Sequence, residues 1–210
     1  MKIIAISDTH DNHRQIKIPE ADMLIVAGDF TCHREPIIAR YSDFHNWITE
    51  QPVKYKIVVA GNHDTLFEKQ NDLARQMFHN VTYLEDSGVE IEGLKIWGSP
   101  WTPEFAGWAF MKPDHELEER WQHIPRDIDI LITHGGPYGI LDENLEGQYC
   151  GSSSLLKRIH ELRNLKYHIF GHIHEAKGKH NCEELSPTFI NASQCDRLNN
   201  LVNKPVVINL

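Results

Sequence analysis

The chain has no apolar stretch approaching the roughly 18 residues that a membrane-spanning helix needs, and no internal repeat or low-complexity linker. Cysteine is scarce. Cys32, Cys150, Cys182 and Cys195 are the only four, and none forms a Cys-x-x-Cys pair, which reads as reduced thiols in a cytosolic protein. Positive charge is also short: 21 Lys and Arg against 30 Asp and Glu leave a formal net charge of −9. That balance argues against nucleic acid as a partner, because nucleic-acid affinity depends on a basic surface. A small phosphate-bearing substrate remains compatible if bound metal cations supply positive charge locally. The opening MKIIAISDTH reaches Asp8 after too short an apolar run for a secretory signal. We therefore expect no signal peptide, no membrane partner and a cytoplasmic location. At 210 residues the chain fits one domain over 1–210, with a core large enough to need no staple.

What the chain does contain is a series of short continuous apolar runs, the pattern of strands buried on both faces. Lys2 to Ser7, Asp22 to Ala27, Tyr55 to Ala60, Asp129 to Thr133 and Tyr167 to Phe170 are the strongest. Leu94 to Gly98, Thr188 to Ala192 and the closing PVVINL are weaker candidates. Helical spacing fills the gaps. EPIIARYSDFHNWITEQ sets Ile37, Ile38, Tyr41, Phe44, Trp47 and Ile48 on one face, with Pro36 suited to the first turn. TLFEKQNDLARQMF and HELEERWQHI are further helices, the latter with a solvated charged face. SSSLLKRIHELR opens on serines suited to an N-cap; it lacks the glycines and lysine of a phosphate-binding loop. Alternating strand and helix predicts an α/β fold.

In open α/β sheets functional groups gather at the carboxyl ends of strands. Asp8 and His10 follow the first strong run, Asp29 the second, Asn62 and His63 the third, His134 the fourth, and His172 and His174 the fifth. Imidazoles with carboxylate and amide oxygens are donors for Zn, Fe, Mn or Ni. A mononuclear zinc site needs three or four donors; the seven candidates Asp8, His10, Asp29, Asn62, His134, His172 and His174 suit two divalent ions, the clamp used in phosphoryl hydrolysis. Gly28, Gly61 and Gly171 precede three of these residues, while Gly135 and Gly136 follow His134. We expect them to supply tight positive-φ turns.

The blocks DTH, GDFT, GNHD, THGG and GHIH, in this order, resemble the calcineurin-like metallophosphoesterase superfamily over nearly the whole chain. SDTH, AGDFT, YKIVVAGNHD, WGSPWTPEFAGWAF, THGGPYGILD, FGHIHEAKG and FINAS are similar to the metallophosphoesterase-domain-containing (MPPED) group, itself similar to class III cyclic-nucleotide phosphodiesterases. The resemblance implies a four-layer αββα sandwich of two mixed sheets. It implies that Asp8, His10, Asp29 and His174 hold one metal, manganese being favoured, and that Asp29 bridges to a second held by Asn62, His134 and His172. A water or hydroxide between the ions would attack phosphorus. His63 would protonate or stabilise the leaving oxygen without binding metal, its side chain diverging from that of Asn62, and Asp64 would orient it. The implied activity is hydrolysis of phosphodiesters, a cyclic nucleotide or small nucleotide ester. Phosphomonoester hydrolysis, or a scaffold that binds metal without turnover, are the alternatives.

One departure is Asp11, which stands where the family often has glycine and is expected either to alter the local backbone or to add a carboxylate near the metals. His13, His33, His45, His79 and His160 fall outside the blocks and read as ordinary surface or core residues, although His33 is close enough to Asp29 in sequence to face the site. The segment Ser99 to Pro113 carries Trp101, Phe105 and Trp108. With Trp97 they read either as packing or as an apolar platform for a base or aromatic leaving group, Trp101 being the candidate substrate contact.

Overall fold

The protein is described here by a computed structural model covering residues 1–182 and 185–210. Its strands are β1 (Lys2–Ile6), β2 (Met23–Ala27), β3 (Tyr55–Val59), β4 (Thr82–Tyr83), β5 (Ser87–Ile91), β6 (Leu94–Ser99), β7 (Thr102–Pro103), β8 (Met111–Lys112), β9 (Ile130–Thr133), β10 (Tyr167–Phe170), β11 (Gly178–Asn181), β12 (Thr188–Asn191) and β13 (Val206–Asn209). The helices are α1 (Ile38–Glu50), α2 (Thr65–Lys69), α3 (Asn71–Met77), α4 (Asp114–Trp121) and α5 (Ser153–Ile159). One sheet runs β13-β1-β2-β3-β4 and the other β11-β12-β10-β9-β6-β5. Both are mixed. β1 to β4 are parallel with β13 antiparallel at the edge, and β12, β10, β9 and β6 are parallel between antiparallel β11 and β5.

The period of two along each strand divides the core into three layers. Ile3 and Ala5 of β1, Ile25 of β2, Ile130 and Ile132 of β9 and Ile169 of β10 meet between the sheets. Ile4 and Ile6 of β1 and Leu24 and Val26 of β2 point the other way, onto Tyr41, Phe44, Trp47 and Ile48 of α1 and Leu66 and Phe67 of α2. Leu131, Phe170 and Phe189 of the second sheet meet Leu117 and Trp121 of α4 and Leu155 and Ile159 of α5. The result is the expected αββα sandwich, and it explains the continuous apolar runs: those strands have protein on both faces.

All eight runs read as strands are strands. β5, β11 and the β7–β8 ribbon lacked that signature: β5 alternates between half-buried and exposed positions and β11 is largely exposed, both at sheet edges. Two helix expectations need correction. The stretch 65–78 is two helices broken at Gln70 (φ −142°, ψ 58°). Ile37 is extended rather than helical, so α1 begins at Ile38 and Pro36 lies outside its first turn; Ile37 and Ile38 remain 43% exposed while Tyr41, Phe44, Trp47 and Ile48 are buried. Ser152 caps α5 as expected, its Oγ accepting from Leu155 N at 2.9 Å.

Among the described residues, no helix is long and apolar enough to cross a membrane.

Candidate metal centre

The two sheets are joined at the carboxyl edge of their parallel strands. Ser7, just past β1, bridges Ser193, just past β12, through Ser7 N to Ala192 O (3.0 Å) and Gln194 N to Ser7 O (2.9 Å). Beside this seam the loop after β1 zips to the loop after β2: Asp8 N to Gly28 O, His10 N to Asp29 O and Asp11 N to Phe30 O, at 2.9–3.1 Å. The turns require unusual backbone. Asp8, His10, Asp11, Asp29 and His172 all have positive φ, between 41° and 72°, a conformation costing a non-glycine residue about 1–2 kcal/mol. Such strain persists only where surrounding contacts overdetermine it, as they do here.

The glycines act differently from expectation. Of the five singled out, only Gly28 has positive φ (94°); the positive φ falls instead on four of the ligand candidates, Asp8, His10, Asp29 and His172. Gly61, Gly135, Gly136 and Gly171 are needed for close approach. A Cβ on Gly61 would lie 2.2 Å from Asp29 Oδ1 and 2.5 Å from Asp29 N, and one on Gly171 would lie 2.1 Å from Asp8 Oδ2. Hydrogen in place of methyl is what lets neighbouring loops converge.

That convergence brings all seven candidate ligands together. Asp8, His10 and His174 form one cluster and Asp29, His134 and His172 a second, with ligand atoms within 4.8 Å of one another in each. Asn62 joins the second through Oδ1, 2.9 Å from His134 Nε2. Three imidazoles are fixed by backbone carbonyls: His10 Nδ1 to Thr31 O (3.1 Å), His134 Nδ1 to Ala27 O (2.9 Å) and His174 Nδ1 to Asp196 O (2.8 Å). With Nδ1 donating, each Nε2 faces the centre, the arrangement that outer-shell partners impose on metal-bound histidines. His10 Nε2 and His174 Nε2 then lie 3.1 Å apart, and His134 Nε2 lies 3.3 Å from Asp29 Oδ2. Acceptors this close repel unless a cation lies among them. The donor set therefore fits two divalent ions, one per cluster.

In the metal-free protein protons take that place. Burial opposes ionisation of Asp8, but the hydrogen bond and charge of His174 outweigh it and hold Asp8 well below the usual carboxylate range. Burial would depress His174, yet Asp8 raises it to about 9. Asp29 and His134 repeat the pattern: Asp29 is lowered against its burial, and His134 is raised to about 9 by the Asp29 charge and hydrogen bond. Burial lowers His172 to about 3. Each cluster thus holds one ion pair that a metal must convert by displacing a proton. Below about pH 9 that proton competes, so apparent metal affinity should rise from pH 6.5 to 9 and level off above. The slope should approach tenfold per unit for each displaced proton. Titration of Mn²⁺ into weakly buffered metal-free protein at pH 7.5 should release close to two protons per pair of ions. A pH-independent affinity would show His134 and His174 to be neutral.

His63 stands closer to the centre than divergence from Asn62 suggested. Its ring nitrogen clusters with His10 and Asp29 ligand atoms, and Nε2 is 3.9 Å from Asp29 Oδ2. Its backbone N donates to Asp29 Oδ1 at 2.7 Å. The expected contact with Asp64 is missing. Asp64 is wholly buried and accepts from Gly61 N (2.7 Å), Thr31 N (3.0 Å) and Thr31 Oγ1 (3.1 Å), with no hydrogen bond to His63 among the described residues. It ties the GDFT loop to the GNHD loop. The His63 ring rests instead on Trp108, with centroids 4.0 Å apart, and Arg34 sits 3.8 Å over Trp108.

Trp101 is also reassigned. Its Nε1 donates to Asp86 at 3.0 Å and Arg120 covers its ring at 3.7 Å, so its polar edge and one face are committed to packing. The β7–β8 pairing closes residues 104–110 into a tip that carries Trp108 to His63 and Phe105 to within 5.7 Å of the His172 ring. Further residues that the sequence did not single out support Asp8: Ser7 Oγ and Ser193 Oγ donate to its Oδ2 at 2.6 and 2.7 Å, and His172 N donates to it as well. The only sequence-level hint was that Ser7 and Ser193 belong to the SDTH and FINAS blocks.

A profile of the calcineurin-like phosphoesterase family matches residues 1–176. Metallophosphoesterase domain-containing protein 1 of Homo sapiens is 38% identical, the match covering 100% of this chain and 71% of that protein. UPF0046 protein K07C11.7 of Caenorhabditis elegans is also 38% identical, over 99% of this chain and 74% of that one. Among solved structures, one titled as a novel archaeal phosphodiesterase superposes with a TM-score of 0.51 at 19% identity, covering 99% of this chain and 100% of that one. At this identity the superposition speaks to the fold alone.

Proposed function

The chain belongs to the calcineurin-like phosphoesterase family, and from that premise we propose that it hydrolyses phosphodiesters, cyclic nucleotides or small nucleotide esters in particular. The observation that carries this reading is the pair of ligand clusters with His63, partly exposed, at their border. Two divalent cations held there supply Lewis acidity toward phosphoryl oxygens and a nucleophile at neutral pH. Manganese is our favoured ion, since carboxylate and amide oxygens accompany the imidazoles, although Fe, Zn and Ni accept the same donors.

The chain's own residues supply the rest. We assign to His63 the transfer of a proton to the departing oxygen, a step worth roughly 10²–10⁴ in rate. Its ring is steadied by Trp108 and its backbone by Asp29. Trp108 and the half-exposed Phe105 offer apolar faces to an organic ester group. A cleft of about 500 Å³ opens beside His174; Leu145, Leu198 and Val202 give it apolar contact, and Lys177 and Arg197 stand among Glu175 and Asp196, so it suits a small ester whose phosphate sits at the metals. The net charge of −9 supports a small substrate over nucleic acid. The free thiols fit a reducing cytoplasm.

With Mn²⁺ bound, bis-p-nitrophenyl phosphate should be hydrolysed faster than p-nitrophenyl phosphate. Preference for the monoester overturns the diesterase assignment. Turnover of neither, with both ions bound, leaves a metal-binding scaffold. A panel of 2′,3′- and 3′,5′-cyclic nucleotides then narrows the substrate.

A further inference from the structure

A further group of metal-ligating side chains, sharing no residue with the others, lies on the same two loops. Asp11, in the loop after β1, meets Cys32 and His33, in the loop after β2. Cys32 Sγ is 2.9 Å from Asp11 Oδ2 and 3.6 Å from His33 Nε2, and His33 Nε2 is 3.5 Å from Asp11 Oδ2. We propose that Asp11, Cys32 and His33 form a separate cation site, selective for a thiophilic divalent ion of the zinc class.

The geometry supports one ion shared by three donors. Zinc–sulfur, zinc–nitrogen and zinc–oxygen bonds in a tetrahedron set donor-to-donor edges of roughly 3.3–3.6 Å. Two of the three observed separations already lie at or within 0.1 Å of that range. The third, at 2.9 Å, is a thiol–carboxylate hydrogen bond, and it must open by about 0.6 Å when the metal replaces the proton. On binding, the Cys32 S–H bond breaks, its proton passes to solvent and the electron pair becomes the metal–sulfur bond. The carboxylate is also only half satisfied: Oδ2 faces Cys32 and His33, while Asp11 Oδ1, the other oxygen of the same group, is buried and has no hydrogen-bond partner among the described residues. A cation is one partner that such an oxygen accepts. His33, with its side chain 38% exposed, leaves an entry path and room for a water as fourth ligand.

The donors also separate this site from the other two. The paired clusters offer only nitrogen and oxygen, whereas a thiolate selects softer ions. The site shares its frame with the metal centre. The backbone pairing that places Asp11 also places His10, and Thr31, the residue before Cys32, holds the His10 ring through its carbonyl. An ion here would therefore stiffen the support of a ligand in the first cluster.

Co²⁺ titrated into metal-free protein tests this without reference to turnover, because only a thiolate ligand gives an intense near-ultraviolet sulfur-to-cobalt absorption. The parent protein should bind three equivalents, one of them generating that band. Cys32→Ser should bind two and show no band, and its retention of two ions reports an intact fold. His33→Ala should keep the band but weaken that equivalent by at least roughly tenfold, since loss of an outer-shell partner alone costs that much. Two equivalents without the band in the parent protein overturn the proposal. So does a band that survives Cys32→Ser, or one whose affinity is unchanged by His33→Ala.

Discussion

His63→Ala is expected to bind both cations as the parent does while losing hydrolysis by roughly 10²–10⁴-fold. The reason is the division of labour at the carboxyl edge. Each cluster has its own carboxylate and imidazoles without His63, and the three backbone-anchored rings, His10, His134 and His174, keep their carbonyl partners when the His63 side chain is removed. The His63 backbone contact to Asp29 survives too, because it comes from the main chain. What disappears is a proton donor beside the leaving oxygen. The defect should therefore depend on the leaving group. p-Nitrophenolate departs with little help, so the loss should be smaller for bis-p-nitrophenyl phosphate than for an alkyl ester or cyclic nucleotide. Elemental analysis with kinetics on both substrate types checks this. Loss of an ion would show His63 to be a ligand, and an equal loss across leaving groups would remove it as the acid.

Gly61→Ala should be at least as damaging, although it touches no functional group. The new methyl would stand 2.2 Å from Asp29 Oδ1, 2.5 Å from Asp29 N and 2.8 Å from His134 Cε1. One of these atoms belongs to the backbone, and the other two belong to side chains with no room to retreat: Asp29 and His134 are buried, and His134 is tied to Ala27 O. The loops after β2 and β3 must part, and with them Asp29, Asn62 and His134. Overpacking of this kind costs about 1–3 kcal/mol, but the larger effect is on the centre. We expect loss of the second ion and of hydrolysis beyond about 10²-fold, with circular dichroism showing the sheets retained. Full metal content in Gly61→Ala would refute the close-approach role assigned to this glycine.

The two variants mark the difference between what was legible in the sequence and what was not. His63 could be found from its place after an apolar run. Gly61 could be found too, but for the wrong reason, since its φ is not positive and its importance lies in what faces it across the sheet. Asp64 was placed on the wrong partner because it is adjacent to His63 in sequence, whereas its carboxylate closes on Thr31, some thirty positions earlier. Trp101 and Trp108 look alike in sequence. Which one reaches the centre is decided by the β7–β8 ribbon, too short and polar to announce itself.

The amino-acid sequence by itself determined the α/β class, the strands of the two sheet interiors and the seven residues that converge on the metal centre. It could do so because continuous apolar runs report burial on both faces, and strand ends report their own position along the chain. The tertiary structure alone decided how those residues and their neighbour His63 are held: His174 by the carbonyl of Asp196, Asp8 by Ser193, His10 by Thr31, and His63 by Trp108. These partners are 21 to 185 residues apart, and no local pattern encodes a contact that exists only after two sheets have packed face to face.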